Sequence, residues 1–206
     1  MQSGKPVFKA PVFNAIEITT ERLVLKPVSP FRFARQTLHW TKDRQAMADL
    51  ALKPDGWTFW RWWRQLRRLT RNGCQCHGIW LKQGGAPIGL RIGRFNAQTA
   101  DVGTGVYVAD PEWRRKKVAQ EAGTAMLDDY FVRCGVNKIT SWINAANTAS
   151  INTALSQGFR EEARLRQCAL LADGTRTDYL AFGILREEWL AKRRAEAPDK
   201  FANIRA

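Results

Sequence analysis

Apolar positions along the chain alternate between a period of two and a helical period, and the order of these switches predicts a mixed α/β protein. Residues 22–28 (RLVLKPV) alternate apolar and polar side chains after Thr19-Thr20-Glu21, as a half-buried first strand does. A less regular helical stretch follows between Phe31 and Leu52. Over residues 59–69 the helical spacing is clear. Phe59, Trp62, Trp63, Leu66 and Leu69 form one stripe, Arg61, Arg64, Arg68 and Arg71 lie on the other side, and Asn72-Gly73 closes the helix. Three strands are predicted next, over 76–82, 86–95 and 101–109, separated by Gly84-Gly85 and by the turn-forming residues 96–99. Helical spacing returns over 118–133, ahead of Gly135. Residues 138–143 read as a strand and 148–157 as a short helix ended by Gly158. Two further strands, 159–171 and 178–185, flank Asp173-Gly174. The series predicts one α/β sheet with helices on both faces.

No internal repeat or low-complexity linker breaks the series, and 206 residues suit one domain with short tails. The expected division is an N-terminal tail over 1–16, one domain over 17–190 and a basic C-terminal tail over 191–206. No apolar run approaches the roughly 20 residues of a membrane span. The first twenty residues mix Lys5, Pro6, Lys9, Pro11 and Glu17 with isolated apolar positions and show no cleavable leader. Cys74, Cys76, Cys134 and Cys168 are too few and too scattered for a disulfide framework, so a cytoplasmic protein with reduced thiols is expected. Cys74-Gln75-Cys76-His77 carries zinc-ligand chemistry, but its cysteines are too close together and no second ligand pair follows. It reads as a strand with both cysteines on one face, and no metal is expected.

Charge adds one constraint. A formal net charge of +14 favours acidic partners, such as RNA, acidic proteins or phosphorylated cofactors. Residues 110–122 (DPEWRRKKVAQEA) show where such a partner could bind: they follow a strand and open a helix, whose first unpaired amides and dipole favour an anion. Arg114, Arg115, Lys116 and Lys117 crowd that same end, where positive charge opposes the dipole and an anionic ligand would relieve the conflict. A solvated basic turn is the alternative reading of the same residues.

These residues resemble the acetyl-CoA pyrophosphate loop of the GNAT N-acetyltransferases, whose pattern is Arg or Gln, two residues, Gly, one residue, Gly or Ala. Arg114 and Ala119 match its ends, and Lys117 stands where the central glycine would be. The flanking 110–113 and 118–122, the opening 20–25 (TERLVL), and Asn147-Thr148-Ala149-Ser150 with Gly158-Phe159 resemble the branch that includes the ribosomal-protein-alanine N-acetyltransferases. The similarity spans roughly residues 17 to 190, with all three motifs in order.

The resemblance implies a single-domain GNAT fold, with a mixed, mostly antiparallel central sheet between helices, and acetyl transfer from acetyl-CoA to an amine by direct attack. The acceptor would be a protein N-terminus or a small-molecule amine, and an acidic or ribosome-associated partner is compatible with the charge. Arg114, Arg115, Lys116, Lys117, Val118 and Ala119 would hold the cofactor phosphates. Val106, Tyr107 and Val108 would pair with its pantetheine arm and offer an amide to the thioester oxygen, and Asn147 would contact the arm. Many relatives protonate the leaving thiolate with a tyrosine, but the matching position here is Ala154. Ser150 matches the serine given this role in the ribosomal-protein branch; it could equally cap its helix.

Lys117 leaves two readings open: a helical backbone that aims its ammonium at a phosphate, or a side chain that obstructs the loop. Asp101, Glu161, Glu162, His39 and His77 offer no convincing general base. The resemblance places residues 57–71 where the family's second helix borders the acceptor site; Trp57, Trp60, Trp62 and Trp63, interleaved with arginines, fit either a platform for single-stranded nucleic acid or a buried stripe with a solvated basic face, and the arginine face could also recruit the acceptor. The competing class is a non-enzymatic basic module that binds RNA or ribosomes on the same scaffold.

Overall fold

The computed structural model describes residues 14–44, 47, 50, 52, 56–71, 74–171, 174–202 and 204. Among them, the alternating runs form eight strands: β1 (Ile18–Thr19), β2 (Leu23–Pro27), β3 (Cys74–Leu81), β4 (Gly89–Asn96), β5 (Asp101–Val108), β6 (Lys138–Asn144), β7 (Arg160–Leu170) and β8 (Arg176–Leu185). They make one sheet in the order β1-β2-β3-β4-β5-β6-β8-β7. Every neighbouring pair is antiparallel except β5 with β6. The helices are α1 (Pro30–Thr37), α2 (Phe59–Leu69), α3 (Val118–Asp128), α4 (Thr148–Gln157), α5 (Arg186–Glu196) and α6 (Pro198–Phe201), with a 3-10 turn over Leu38–Lys42. The last two helices continue past residue 190, and Trp189, Leu190 and Phe201 are buried. Among the described residues, no helix is long and apolar enough to cross a membrane.

The period-two pattern sorts side chains to two cores. On one face Phe33, Trp40, Trp62, Leu66, Cys76 and Leu90 pack together, so α1 and α2 cover that side. On the other, Leu23, Leu25, Ile79 and Val102 meet Met126, Tyr130, Phe182 and Trp189 beneath α3 and α5. The stripe predicted for α2 is buried most deeply at Trp62 and Leu66, while Phe59, Trp63 and Leu69 are only half-buried. Trp62 satisfies its indole N–H inside the core by donating to Thr37 Oγ1 at 2.9 Å.

Two predicted helices differ in detail. Within the stretch expected between Phe31 and Leu52, the described residues form α1 and the 3-10 turn, and helical backbone returns at Arg44 and Met47, where Met47 N donates to Asp43 O at 3.1 Å. The helix expected over 118–133 ends at Asp128 and continues as a π turn, Asp129–Arg133, in which Cys134 N donates to Asp129 O five residues back. That wider turn places Asp129, Tyr130 and Phe131 all inward. The closing signals Asn72-Gly73 and Asp173 lie outside the described residues.

A polar line crosses the α3-side core. Gln75 and His77 on β3 and Arg91 on β4 are all buried, with His77 directly opposite Arg91 in the ladder. Arg91 Nη1 donates to Tyr130 Oη at 3.1 Å, and burial holds its pKa below the ordinary value. Gly93, two residues along the same face, makes this contact possible: a Cβ there would come within 1.9 Å of Tyr130 Oη. His77 Nε2 donates to Ile16 O at 2.9 Å, which ties the N-terminal segment to the sheet. Its Nδ1 is buried without a partner among the described residues.

Burial is the main reason the pKa of His77 falls to about 4; the Ile16 carbonyl pulls it up and Arg91 pushes it down. The folded state therefore resists a proton that the unfolded chain accepts near pH 6.5. Stability associated with His77 is complete above that pH and is lost as pH falls toward 4, by up to about 3 kcal/mol. A His77→Gln variant should lose less thermal stability than the parent between pH 7 and 4.5 in a melting series. Parallel curves would contradict the assignment.

Candidate active site

β5 and β6 pair only through Asp101↔Lys138, Val102↔Ile139 and Gly103↔Thr140. Beyond Gly103, β5 stays bonded to β4 as far as Val108, and β6 stays bonded to β8 as far as Asn144. The two strands therefore diverge in the middle of the sheet. A cleft of about 640 Å³ opens between them, with β5 backbone facing into it and α3 and α4 along its sides.

The loop that enters α3 is folded by its own side chains. Asp110 Oδ1 accepts from Glu112 N at 2.9 Å and starts a 3-10 turn, Pro111–Trp113. Arg114 then reaches back over the end of β5. Its Nε donates to Val108 O at 3.1 Å, and its Nη2 donates to Ala109 O at 2.8 Å and to Asp43 Oδ2 at 3.1 Å. Arg115 and Lys117 follow with φ of 62° and 60°, in the left-handed region. Lys117 is the N-cap of α3 and makes no side-chain cap hydrogen bond.

Of the two readings of Lys117, the one that required a right-handed helical backbone is not met. The position adopts the left-handed conformation that glycine takes readily, and the exposed lysine is among the residues that line the cleft.

A second clamp holds the start of α3. Glu121 accepts from Thr20 Oγ1, from Arg22 N at 2.9 Å and from Arg22 Nε at 2.7 Å. Arg22 Nη2 donates to Lys116 O at 3.1 Å. Partial burial opposes the charge on Glu121, but the hydrogen bonds from Thr20 and Arg22 outweigh it and hold the carboxyl below its ordinary pKa. The opening motif Thr20-Glu21-Arg22 therefore acts on the loop almost a hundred residues later, a link that no local pattern reveals.

On the opposite side, Asn147 caps α4 by accepting from Ser150 N at 3.0 Å. Ser150 does not cap the helix: its hydroxyl has no partner among the described residues and it lines the cleft. Gly123 lets α4 approach α3, since a Cβ there would come within 2.4 Å of Gln157 Nε2. The cleft brings together Val106, Tyr107, Val108, Arg114, Arg115, Lys117, Val118, Ala119, Asn147 and Ser150. Lys116 is the exception, because its ammonium lies 4.6 Å from the Trp113 ring and it faces a neighbouring groove with Arg22 and Glu121.

None of the carboxylates weighed as bases lines the cleft among the described residues. Asp101 accepts from Thr99, Glu161 pairs with Arg164, and Glu162 lies 2.7 Å from Lys138 Nζ. Sequence reasoning missed Arg91 at the cleft floor and Trp142 and Tyr179 along its wall. The two rings lie 6.5 Å apart on neighbouring strands, so only the β6–β8 register brings them together. Among the described residues, no group of three or more His, Cys, Asp or Glu could hold a metal ion.

A family model described as an acetyltransferase (GNAT) domain matches residues 22–160, about two thirds of the chain. The chain belongs to the GNAT acetyltransferase family. Its fold agrees with solved GNAT structures. A GCN5-related N-acetyltransferase from Brucella melitensis superposes with a TM-score of 0.74 at 19% identity, covering 88% of this chain and 84% of that one. A spermidine N-acetyltransferase from Vibrio cholerae, solved with CoA and spermine, gives 0.73 at 19% identity over 83% and 99% of the two chains. A candidate ribosomal-protein-serine acetyltransferase from Vibrio cholerae gives 0.67 at 18% identity over 82% and 97%. A comparison of the sequence with curated proteins gives no match. As a GNAT enzyme the protein is an acyl-CoA-dependent N-acetyltransferase with acetyl-CoA as donor.

The three bonds of Arg114 make it a structural clamp on the GNAT loop as well as a cationic lining residue. Arg114→Ala should lower the melting temperature of the ligand-free protein by several degrees, equivalent to about 2 kcal/mol, because partly buried charged donors are lost. An unchanged ligand-free midpoint would show that the side chain has no such structural role.

Proposed function

We propose that this GNAT enzyme acetylates the α-amine at the N-terminus of a protein or peptide, with the cofactor held in the β5–β6 cleft. The observation that carries the reading is the end of β5–β6 pairing at Gly103, which leaves a cleft between the two strands lined by the amino end of α3. A pantetheine arm has amides that suit an open strand edge, and a pyrophosphate suits the amino end of a helix. The residues therefore fit the cofactor. Val106–Val108 would pair with the arm, the first amides of α3 together with Arg115 and Lys117 would take the phosphates, and Asn147 would face the arm from α4.

Acetyl-CoA supplies the activated acyl group, and the chain contributes binding, orientation and proton handling. A backbone amide of Val106–Val108 would stabilise charge on the thioester oxygen. Ser150, whose hydroxyl is free of the helix cap, would protonate the leaving thiolate. An α-amine has a pKa near ~8, so a fraction is deprotonated at neutral pH and water can carry its proton away. A protein N-terminus is favoured over a polyamine because Arg91, Arg114, Arg115 and Lys117 line the cleft and no Asp or Glu does among the described residues. A ligand with several positive charges meets repulsion there.

Free CoA release, measured with acetyl-CoA and a panel of short peptides, should show turnover on peptide N-termini and little on spermidine. Turnover on spermidine alone would refute the acceptor assignment. Ser150→Ala should lower kcat on the order of a hundredfold while acetyl-CoA still raises the melting temperature as it does for the parent. Unchanged kcat, with chemistry rate-limiting, would remove Ser150 from the mechanism.

A further inference from the structure

We propose that the outer face built by α1 and α2 is a binding surface for single-stranded nucleic acid, separate from the acetyl-transfer cleft. Charge points there first: α1 and α2 together carry six arginines, Arg32, Arg35, Arg61, Arg64, Arg67 and Arg68, and no Asp or Glu, and Arg71 follows. Among the described residues no carboxylate pairs with Arg32, Arg35, Arg64, Arg67, Arg68 or Arg71. Such cations on one face attract a phosphate backbone and hold it through counterion release.

Aromatic exposure narrows the partner. Trp60 is 59% exposed and Phe31 is 46% exposed, although both belong to elements whose other faces are buried. They are the exposed members of an edge-to-face series, with Phe31–Phe59 centroids 5.3 Å apart, Phe59–Trp60 at 5.1 Å and Trp60–Trp63 at 5.6 Å. Arg67 lies 4.8 Å over Trp63 at the end of the series. Rigid rings held outward between arginines offer stacking sites for unpaired bases at intervals along a cationic track.

Other partners account for less of this face. An acidic peptide would engage the arginines but would leave Trp60 and Phe31 in water. A second copy of the chain would bring two faces of like charge together. Duplex nucleic acid would satisfy the cations, but its stacked bases are closed to the rings. RNA and single-stranded DNA share the required chemistry, and direct comparison separates them.

The test is fluorescence anisotropy of the full-length protein with labelled oligonucleotides of about 12 nucleotides, as RNA and as DNA, at about 50 to 300 mM salt. A duplex of equal length and a polyglutamate peptide serve as competitors. Single strands should bind, bind more weakly as salt rises, and outcompete both the duplex and the peptide; the tighter of the two strands identifies the natural class. Trp60→Ala should weaken binding about tenfold by removing one stacked base. Arg64→Glu combined with Arg68→Glu should weaken it further and flatten the salt dependence. Unchanged melting temperature and acetyl-CoA binding would establish that these exposed substitutions leave the fold intact. No binding at low salt, equal binding of duplex or polyglutamate, or parent-like affinity in Trp60→Ala would overturn the proposal.

Discussion

The separation of β5 from β6 after Gly103 and Thr140 is the constraint on which the site depends. Two parallel strands that remained paired would use their backbone groups on each other. Here each is held on its outer side, β5 by β4 and β6 by β8, so the separation does not unravel the sheet. The inner edge of β5 is left open inside a folded protein, where backbone groups ordinarily find partners. An extended ligand with amides of its own supplies what the missing strand pairing would have supplied.

Holding that opening in shape falls to the loop between β5 and α3, and most of its polar side chains work on the protein itself. Arg114 closes the end of β5 and reaches Asp43 beside the 3-10 turn, while Arg22 and Glu121 join the first strands to the first turn of α3. These bonds permit Arg115 and Lys117 to stay in left-handed conformations that non-glycine residues rarely adopt. Positive charge gathers at the positive end of a helix dipole, an arrangement that a bound anion stabilises. On the α1–α2 face, by contrast, Arg32, Arg35, Arg64 and Arg68 make no ion pair with a carboxylate among the described residues.

Much of this architecture was legible in the sequence because it rests on local patterns. The alternation in 22–28 became β2, the stripe from Phe59 to Leu69 became α2, and Thr148 to Gln157 became α4. The cleft residues were legible through motif order, since Val106, Ala119 and Asn147 each lie in a recognisable stretch. What escaped depends on contacts between distant segments. The roles of Arg114 and Glu121 depend on partners at Asp43, Thr20 and Arg22. Tyr179 and Arg91 reach the cleft through strand register, and Tyr130 is turned inward by a π turn that helical periodicity does not distinguish from a continuing helix. Lys117 showed the reverse: its identity suggested a change in backbone, yet the left-handed conformation favoured by glycine persists without the glycine.

Backbone hydrogen exchange over β5 tests the central claim most directly, because it reads the open strand edge rather than any side chain. Acetyl-CoA should slow exchange of the amides between Thr104 and Val108 while leaving the already paired amides of β3 largely unchanged. Saturating cofactor that protects no amide in this stretch would contradict the account, since the divergence of β5 from β6 would then serve no ligand.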